Sequence, residues 1–562
     1  MARAVRAMLE DLVRIRPVYG GDAARQKFEL VCALERATLS SAKDVVRLHE
    51  TLLFLLSFPD DPGLLAAVER GLARFDHRRD LRRHRKALAD SGIAGTRIHF
   101  PFFWITARWL AGRWPKALQI DWPSFDRKHE LEPLLPHLLP YCETLTLDQL
   151  TYPPRTWIRL LKGPDESEAA FLVKRFDGLD TGSFGREFSY DRLAIPMVLL
   201  PGEDTPSRTR ARLPQARIHF QRRPLHAHRP DLHRAAVEPI VGIRKVGLGE
   251  ADRLIALARG AMITRGRDLD AFANADRRDV RLIDCGEGLS FACLGVVPER
   301  RLMLEAVYGF LTLKNGVPIG YVLASALFGS SEVAYNVFET WRGAESAHIY
   351  GRVLAMLHAL FGSTTFAIPP YQLGHDNEEG QQSGAWWFYY KLGFRAVDTE
   401  VKRLARREVV RVRANPKYRS SPATVNQLAA AFMFLHLGRE REDVIGGIAF
   451  ENVGLRITRF LARRYGSERE RAVAEVAADG MRLIGVTSLR GWTRDQRRAG
   501  QRWSPLIVSL PGIARWSAAE RRALQPILKA KGGRRESEFV DLFDRHPKLR
   551  RAILQLARDI EP

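Results

Sequence analysis

The chain has 562 residues, of which 46% are hydrophobic and 27% charged, a balance that belongs to folded protein and excludes a largely disordered chain. Its length exceeds what one core accommodates, so about three or four domains are expected. The net charge of +23, from 88 Lys and Arg against 65 Asp and Glu, attracts polyanions of any kind, and an arginine-rich base composition accounts for it equally well.

Four cysteines, at 32, 142, 285 and 293, contain no Cys-x-x-Cys pair, which argues against a disulfide framework or a zinc ribbon and fits a reducing cytoplasm. The N-terminus is basic but has no continuous apolar stretch, and no run is long enough to span a bilayer; Ile98 to Leu110 comes nearest and carries Arg108. Cytoplasmic location and no membrane span are the expectations.

The first region, 1–120, reads as helical. Phe28, Val31 and Leu34, then Val45, Leu48, Leu52 and Leu55, recur at helical spacing up to the break at Phe58-Pro-Asp-Asp-Pro-Gly63. Asp61 before Pro62 predicts a new helix carrying Leu64, Leu65, Val68, Leu72 and Phe75, antiparallel to the one before. Arg78, Arg79, Arg82, Arg83, Arg85 and Lys86 read as a solvated helix face rather than a phosphate grip. The aromatics from Phe100 to Trp122 suit a buried core better than a base-stacking surface, although aromatics between basic residues are compatible with both.

Region 121–205 is mixed and proline-punctuated, with a short helix from Thr156 to Lys162. Pro206 to Arg234 holds eight arginines and four prolines, so 206–235 is expected to be an exposed basic connector. It contains His226, His228 and His233, a spacing that supplies imidazoles to zinc or nickel, but the surrounding arginines oppose a cation and no metal is expected.

From 236 to 413 the texture changes to alternating strands and helices. Ala251 to Met262 reads as a helix; Val280 to Asp284 and Leu289 to Val297 read as strands around Gly286-Glu-Gly288. Tyr308 to Lys314 and Val317 to Ala324 flank Asn315-Gly316, a two-residue hairpin turn that needs positive φ. Glu332 to Glu339 is a strand, Thr340 to Ser346 a turn, His348 to Phe361 a helix and Ser363 to Ile368 a strand. Gly384-Ala-Trp-Trp-Phe-Tyr-Tyr-Lys-Leu-Gly-Phe394 is then a short aromatic helix stopped at Gly393, with Phe394 folding back and a strand rich in Arg and Val following. Trp387, Phe388 and Tyr390 are its expected core residues.

Phe388-Tyr-Tyr-Lys-Leu-Gly-Phe394 resembles the Phe-Tyr-x-Lys-Leu-Gly-Phe signature of the GNAT superfamily of N-acyltransferases, and the order hairpin, strand, turn, helix, strand, helix is similar to that family's core. The resemblance covers about 236–413. It implies an acyl-CoA, acetyl-CoA or another, as co-substrate and direct transfer of the acyl group to an amine. It implies Tyr389 as the acid that protonates the leaving thiolate and Glu339 as the base. The pyrophosphate turn falls on Arg342-Gly-Ala-Glu-Ser-Ala347, so the resemblance implies that Arg342, Gly343, Ser346 and Ala347 hold the cofactor, with Asn377 contacting it. The turn departs from the family at Glu345, where a glycine is usual. A carboxylate there repels a diphosphate and is itself a good partner for a helix N-terminus.

Region 414–562 returns to amphipathic helices, among them Val425 to Leu437, Val453 to Leu461, Ala472 to Leu483 and Leu549 to Leu556, with a helix start at Ser517 and Glu520. The expected fold class is α+β multidomain: a central α/β domain with a mixed, mostly antiparallel sheet, flanked by mainly helical regions. The expected function is N-acyl transfer to an unidentified amine. The alternatives are a degenerate GNAT-fold scaffold or ligand-binding module and a nucleic-acid-associated protein, with the helical regions meeting a protein partner or a second copy.

Overall fold

A computed structural model describes residues 2–179, 182–215, 217–343, 345–415 and 417–558. The protein is mixed α/β, and its contacts divide it into two compact units. The first comprises Met1–Pro224, Asp252–Asn274 and Leu313–Pro318; the second comprises Leu225–Ala251, Ala275–Thr312 and Ile319–Pro562. Residues 414–562 therefore share a unit with the central sheet instead of standing apart. Among the described residues no helix is long and apolar enough to cross a membrane.

The first unit opens with helices Ala2–Ile15, Ala23–Arg36, Ala42–Ser57 and Pro62–Ala73. Asp61 caps the fourth, its carboxylate accepting from Leu64 N at 2.8 Å, and Pro62 fills the first helical position. Between the helices Lys27, fully buried, meets the Asp60 carboxylate at 2.8 Å and lies 4.1 Å from the Tyr19 ring centroid. Arg78 turns inward, donating to Asp80 and to the carbonyls of Leu34 and Ala37, while Arg79, Arg82, Arg83, Arg85 and Lys86 are exposed. A small sheet of β1 (Ile98–Phe100), β2 (Leu118–Ile120) and β3 (Met197–Leu199), in order β1-β3-β2, backs a core around Phe102, Trp104, Trp122 and Trp157. The aromatic stretch is therefore largely core, with Phe103 outside it.

The expected exposed connector is corrected. Up to Pro224 it is part of the first unit, because its backbone donors find fixed acceptors: Arg208 N on Gly92 O, and Gln221 N on Pro59 O, both at 2.8 Å. Thr205, Ser207, Thr209 and Gln221 are buried. Arg208 and half-buried Arg265 face Glu50, whose carboxyl is held at about 2 by His49 and these guanidinium groups against the opposing cost of burial.

The second unit is organised by a nine-stranded sheet in the order β11-β12-β10-β9-β8-β7-β6-β5-β4. Its strands are β4 (Gly242–Lys245), β5 (Ala275–Asp284), β6 (Leu289–Val296), β7 (Ala306–Lys314), β8 (Val317–Leu327), β9 (Ser330–Val337), β10 (Thr365–Ile368), β11 (Arg395–Ala396) and β12 (Met433–His436). Asn315 and Gly316 turn β7 into β8 with φ of 48° and 79°, as a two-residue hairpin requires. The pair β9–β10 is parallel, joined by the helix Ser346–Phe361, whereas β8–β9 and β10–β12 are antiparallel. The parallel register runs from Thr365 opposite Ser330 to Ala367 opposite Glu332, so the rest of β9, to Val337, continues past the pairing.

Two expected elements differ. The strand after Phe394 has only two residues, and helix Thr399–Ala414 follows, capped by Asp398 accepting from Val401 N at 2.8 Å. The run Val425 to Leu437 is a helix, Pro422–Leu428, and then β12, because Ser421 caps before Pro422 and β10 offers an open edge. The C-terminal helices are tied to the sheet by buried polar groups. Lys531 meets Glu536 at 2.6 Å beside Arg301, and Ser537 N donates to Tyr308 Oη, which donates to Asp279 at 2.6 Å.

Candidate functional site

The short aromatic helix Ala385–Lys391 starts after Gly384 (φ 70°) and stops at Gly393 (φ 103°). Gly393 N bonds Tyr390 O and Phe394 N bonds Tyr389 O, the paired bonds of a Schellman stop. Phe394 is fully buried and packs on the Tyr389 ring, as the sequence leads one to expect. The expected core face is off by one position: Trp386 and Tyr389 are the buried pair, while Trp387, Phe388 and Tyr390 are half-buried. Trp386 is fixed by its indole N–H on Leu428 O at 3.0 Å.

Tyr389 is 1% exposed. Its ring sits among Tyr350, Phe388 and Phe394, and its hydroxyl accepts a long hydrogen bond, 3.5 Å, from the Gln372 amide. That amide also donates to Tyr335 O on β9 at 2.8 Å. Burial pushes the phenol well above its ordinary value, opposed by Gln372 and the Tyr335 backbone. Tyr335 lies on the part of β9 that β10 does not pair, and its hydroxyl donates to Ser346 O at 3.1 Å. The rings of Tyr335, Tyr350, Phe388 and Tyr389 pack on one another here. Tyr350, 0% exposed, has a hydroxyl without a hydrogen-bond partner among the described residues. Gln372 and Tyr335 carried no sequence signal, since neither belongs to a motif.

The turn that precedes helix Ser346–Phe361 is built differently from an anion cradle. Glu345 stands at the N-cap with φ 54° and is 3% exposed, its carboxylate accepting from His226 N at 3.2 Å. Arg342 is exposed and paired with Glu379 at 2.6 Å. Arg352, further along the helix, is committed to Glu238 at 3.2 Å and Pro239 O at 2.8 Å. Gly343 (φ 85°) is open, and its N–H bonds the Ser346 hydroxyl at 3.3 Å. Ala347 is half-buried in the first turn, and Ala344 lies outside the described residues. Segment Leu225–Ala236 lies over this helix: a Cβ added at Gly351 would come within 3.0 Å of Ala235 Cβ.

Glu339 opens the one-turn helix Glu339–Trp341 and is exposed. Asn377 is used locally, capping helix Glu378–Ser383 by accepting from Gly380 N at 3.1 Å and donating to Tyr371 O at 2.9 Å. The structure therefore gathers Arg342, Gly343, Ser346 and Ala347 into one turn and puts Tyr389 beside β9. It gives Asn377 a capping role.

The three histidines of the His-x-His-x-x-x-x-His pattern, His226, His228 and His233, separate. His226 stacks on His348, centroids 4.1 Å apart and planes at 13°, with its Nε2 3.5 Å from Glu287 and 3.9 Å from Glu345. His228 is exposed, and His233 borders a cleft of about 540 Å3 whose other walls include Trp386, Tyr390, Arg395, Lys402 and Arg406. Its lining mixes aromatic with cationic side chains. Arg395 lies 4.2 Å over the Tyr390 ring centroid.

Searches of family models, curated proteins and solved structures gave no significant match to this chain.

Proposed function

We propose that the second unit is an acyltransferase-type fold that serves as a binding module and does not transfer acyl groups. The GNAT resemblance in the Phe388 to Phe394 signature and in the element order supports the fold reading. The observation that carries the functional one is the Glu345 carboxylate, buried at the helix N-terminus where the resemblance would put a cofactor diphosphate.

An acyl-CoA does not fit the residues present. A diphosphate at this N-terminus would meet a buried carboxylate, and Arg342 and Arg352 each lie against a carboxylate, Glu379 and Glu238. The Tyr389 hydroxyl, which would have to reach a leaving thiolate, is enclosed by Gln372 and the aromatic cluster. The cleft of about 540 Å3 beside Trp386 and Arg395 gives such a module room for a small ligand.

A second reading, acyl transfer to an amine with Tyr389 as acid and Glu339 as base, draws on one observation: the unpartnered Tyr350 hydroxyl beside Tyr389, a buried polar atom that a bound group would satisfy. The two readings separate by turnover. Thiol release from acetyl-CoA is followed with a lysine-rich peptide, an amino sugar and a diamine as acceptors. The binding-module reading predicts background release for both the natural chain and Tyr389→Phe. Release above background that falls at least tenfold in Tyr389→Phe contradicts it.

A further inference from the structure

The sequence places His226 in a local His-x-His-x-x-x-x-His pattern, but the fold takes it away from His228 and His233 and brings it to residues distant in sequence. His226 comes from the segment before β4, Glu287 from the β5–β6 turn, and His348 from the first turn of helix Ser346–Phe361. One potential ligand atom from each lies within 4.8 Å of the others. Tetrahedral ligands at about 2.0–2.1 Å from a zinc ion stand roughly 3.3 Å apart, so closing the group on an ion takes side-chain rotation in which one imidazole turns out of the parallel stack.

Two further features favour a cation. Two carboxylates border His226 Nε2, Glu287 at 3.5 Å and Glu345 at 3.9 Å, which offsets the positive end of the helix. Glu287 is held with φ 50° between Gly286 (φ 83°) and Gly288 (φ 72°), a left-handed turn that fixes its backbone next to the histidines.

We propose that His226, His348 and Glu287 form a site for one divalent first-row transition ion of the zinc, cobalt or nickel class, with water completing the shell. Two imidazoles and carboxylate oxygens suit these borderline ions, whereas magnesium and calcium prefer all-oxygen shells. The site ties the segment before β4 to the β5–β6 turn and the helix N-terminus. It goes beyond the binding-module reading and stands or falls without it.

The test uses the full chain, free of any histidine tag and stripped of metal, titrated with Co(II) and read by its visible absorption, with Zn(II) competition. The proposal predicts one equivalent bound in a four- or five-coordinate spectrum, displaced by Zn(II) and unaffected by excess Mg(II). Binding should weaken at least tenfold in His226→Ala and in His348→Ala, with unchanged far-ultraviolet circular dichroism, and several-fold in Glu287→Gln. His228→Ala and His233→Ala should bind as the natural chain does. Absence of a cobalt spectrum overturns the proposal, as does binding that survives His226→Ala together with His348→Ala, or binding lost in the His228 and His233 variants.

Discussion

Glu345 holds a left-handed backbone conformation, φ 54°, that costs a residue with a side chain about 1–2 kcal/mol and that glycine adopts freely. The departure from the family pattern was legible in the sequence as a glutamate in place of a glycine. Its partner was not, because His226 lies more than a hundred residues away and reaches it through the backbone N–H. Glu332, on β9, shows a second carboxyl whose environment decides its behaviour. Burial, with Glu305 adding to it, raises its carboxyl to about 7. Because the folded value lies above the unfolded one, its contribution to stability is complete below about pH 4 and is lost as pH rises to 7. Glu332→Gln should therefore flatten the decline in stability between about pH 4 and 7, and leave the variant about 1–3 kcal/mol more stable than the natural chain at pH 8. Denaturant titrations at a series of pH values check this; an unchanged pH slope would contradict it.

Elements with strong local chemistry were read well. The Asn315-Gly316 hairpin, the Asp61 and Ser517 caps and the Gly393 stop all follow from residues that favour one backbone geometry. Where a strand is set by an edge elsewhere in the sheet, as for β12, or a segment by distant acceptors, as for Pro206 to Pro224, local pattern was insufficient. Asn315 also does what sequence could not show: it is 1% exposed, donates to Ser57 O and His219 O at 2.9 and 3.0 Å, and accepts from His219 N at 2.9 Å. Asn315→Ala should lose these bonds and the tolerance for positive φ, lowering stability by about 2–4 kcal/mol. A change in unfolding free energy below about 0.5 kcal/mol would show the turn to be replaceable.

At the scale of the whole molecule, each compact unit has its own core, and in the second one the C-terminal helices and the sheet share buried ionic groups around Lys531, Glu536 and Arg301. The central claim concerns that unit: at the N-cap of the helix to which the proposed fold would assign a cofactor diphosphate stands a buried glutamate, its carboxylate accepting from His226 N and not from the helix's own N–H groups. Calorimetric titration of acetyl-CoA into the natural chain and into Glu345→Gly tests it most directly. The account predicts no binding heat for the natural chain and measurable binding for Glu345→Gly, in which the carboxylate is gone and the left-handed position is relaxed. Stoichiometric binding by the natural chain, undiminished relative to Glu345→Gly, would contradict it.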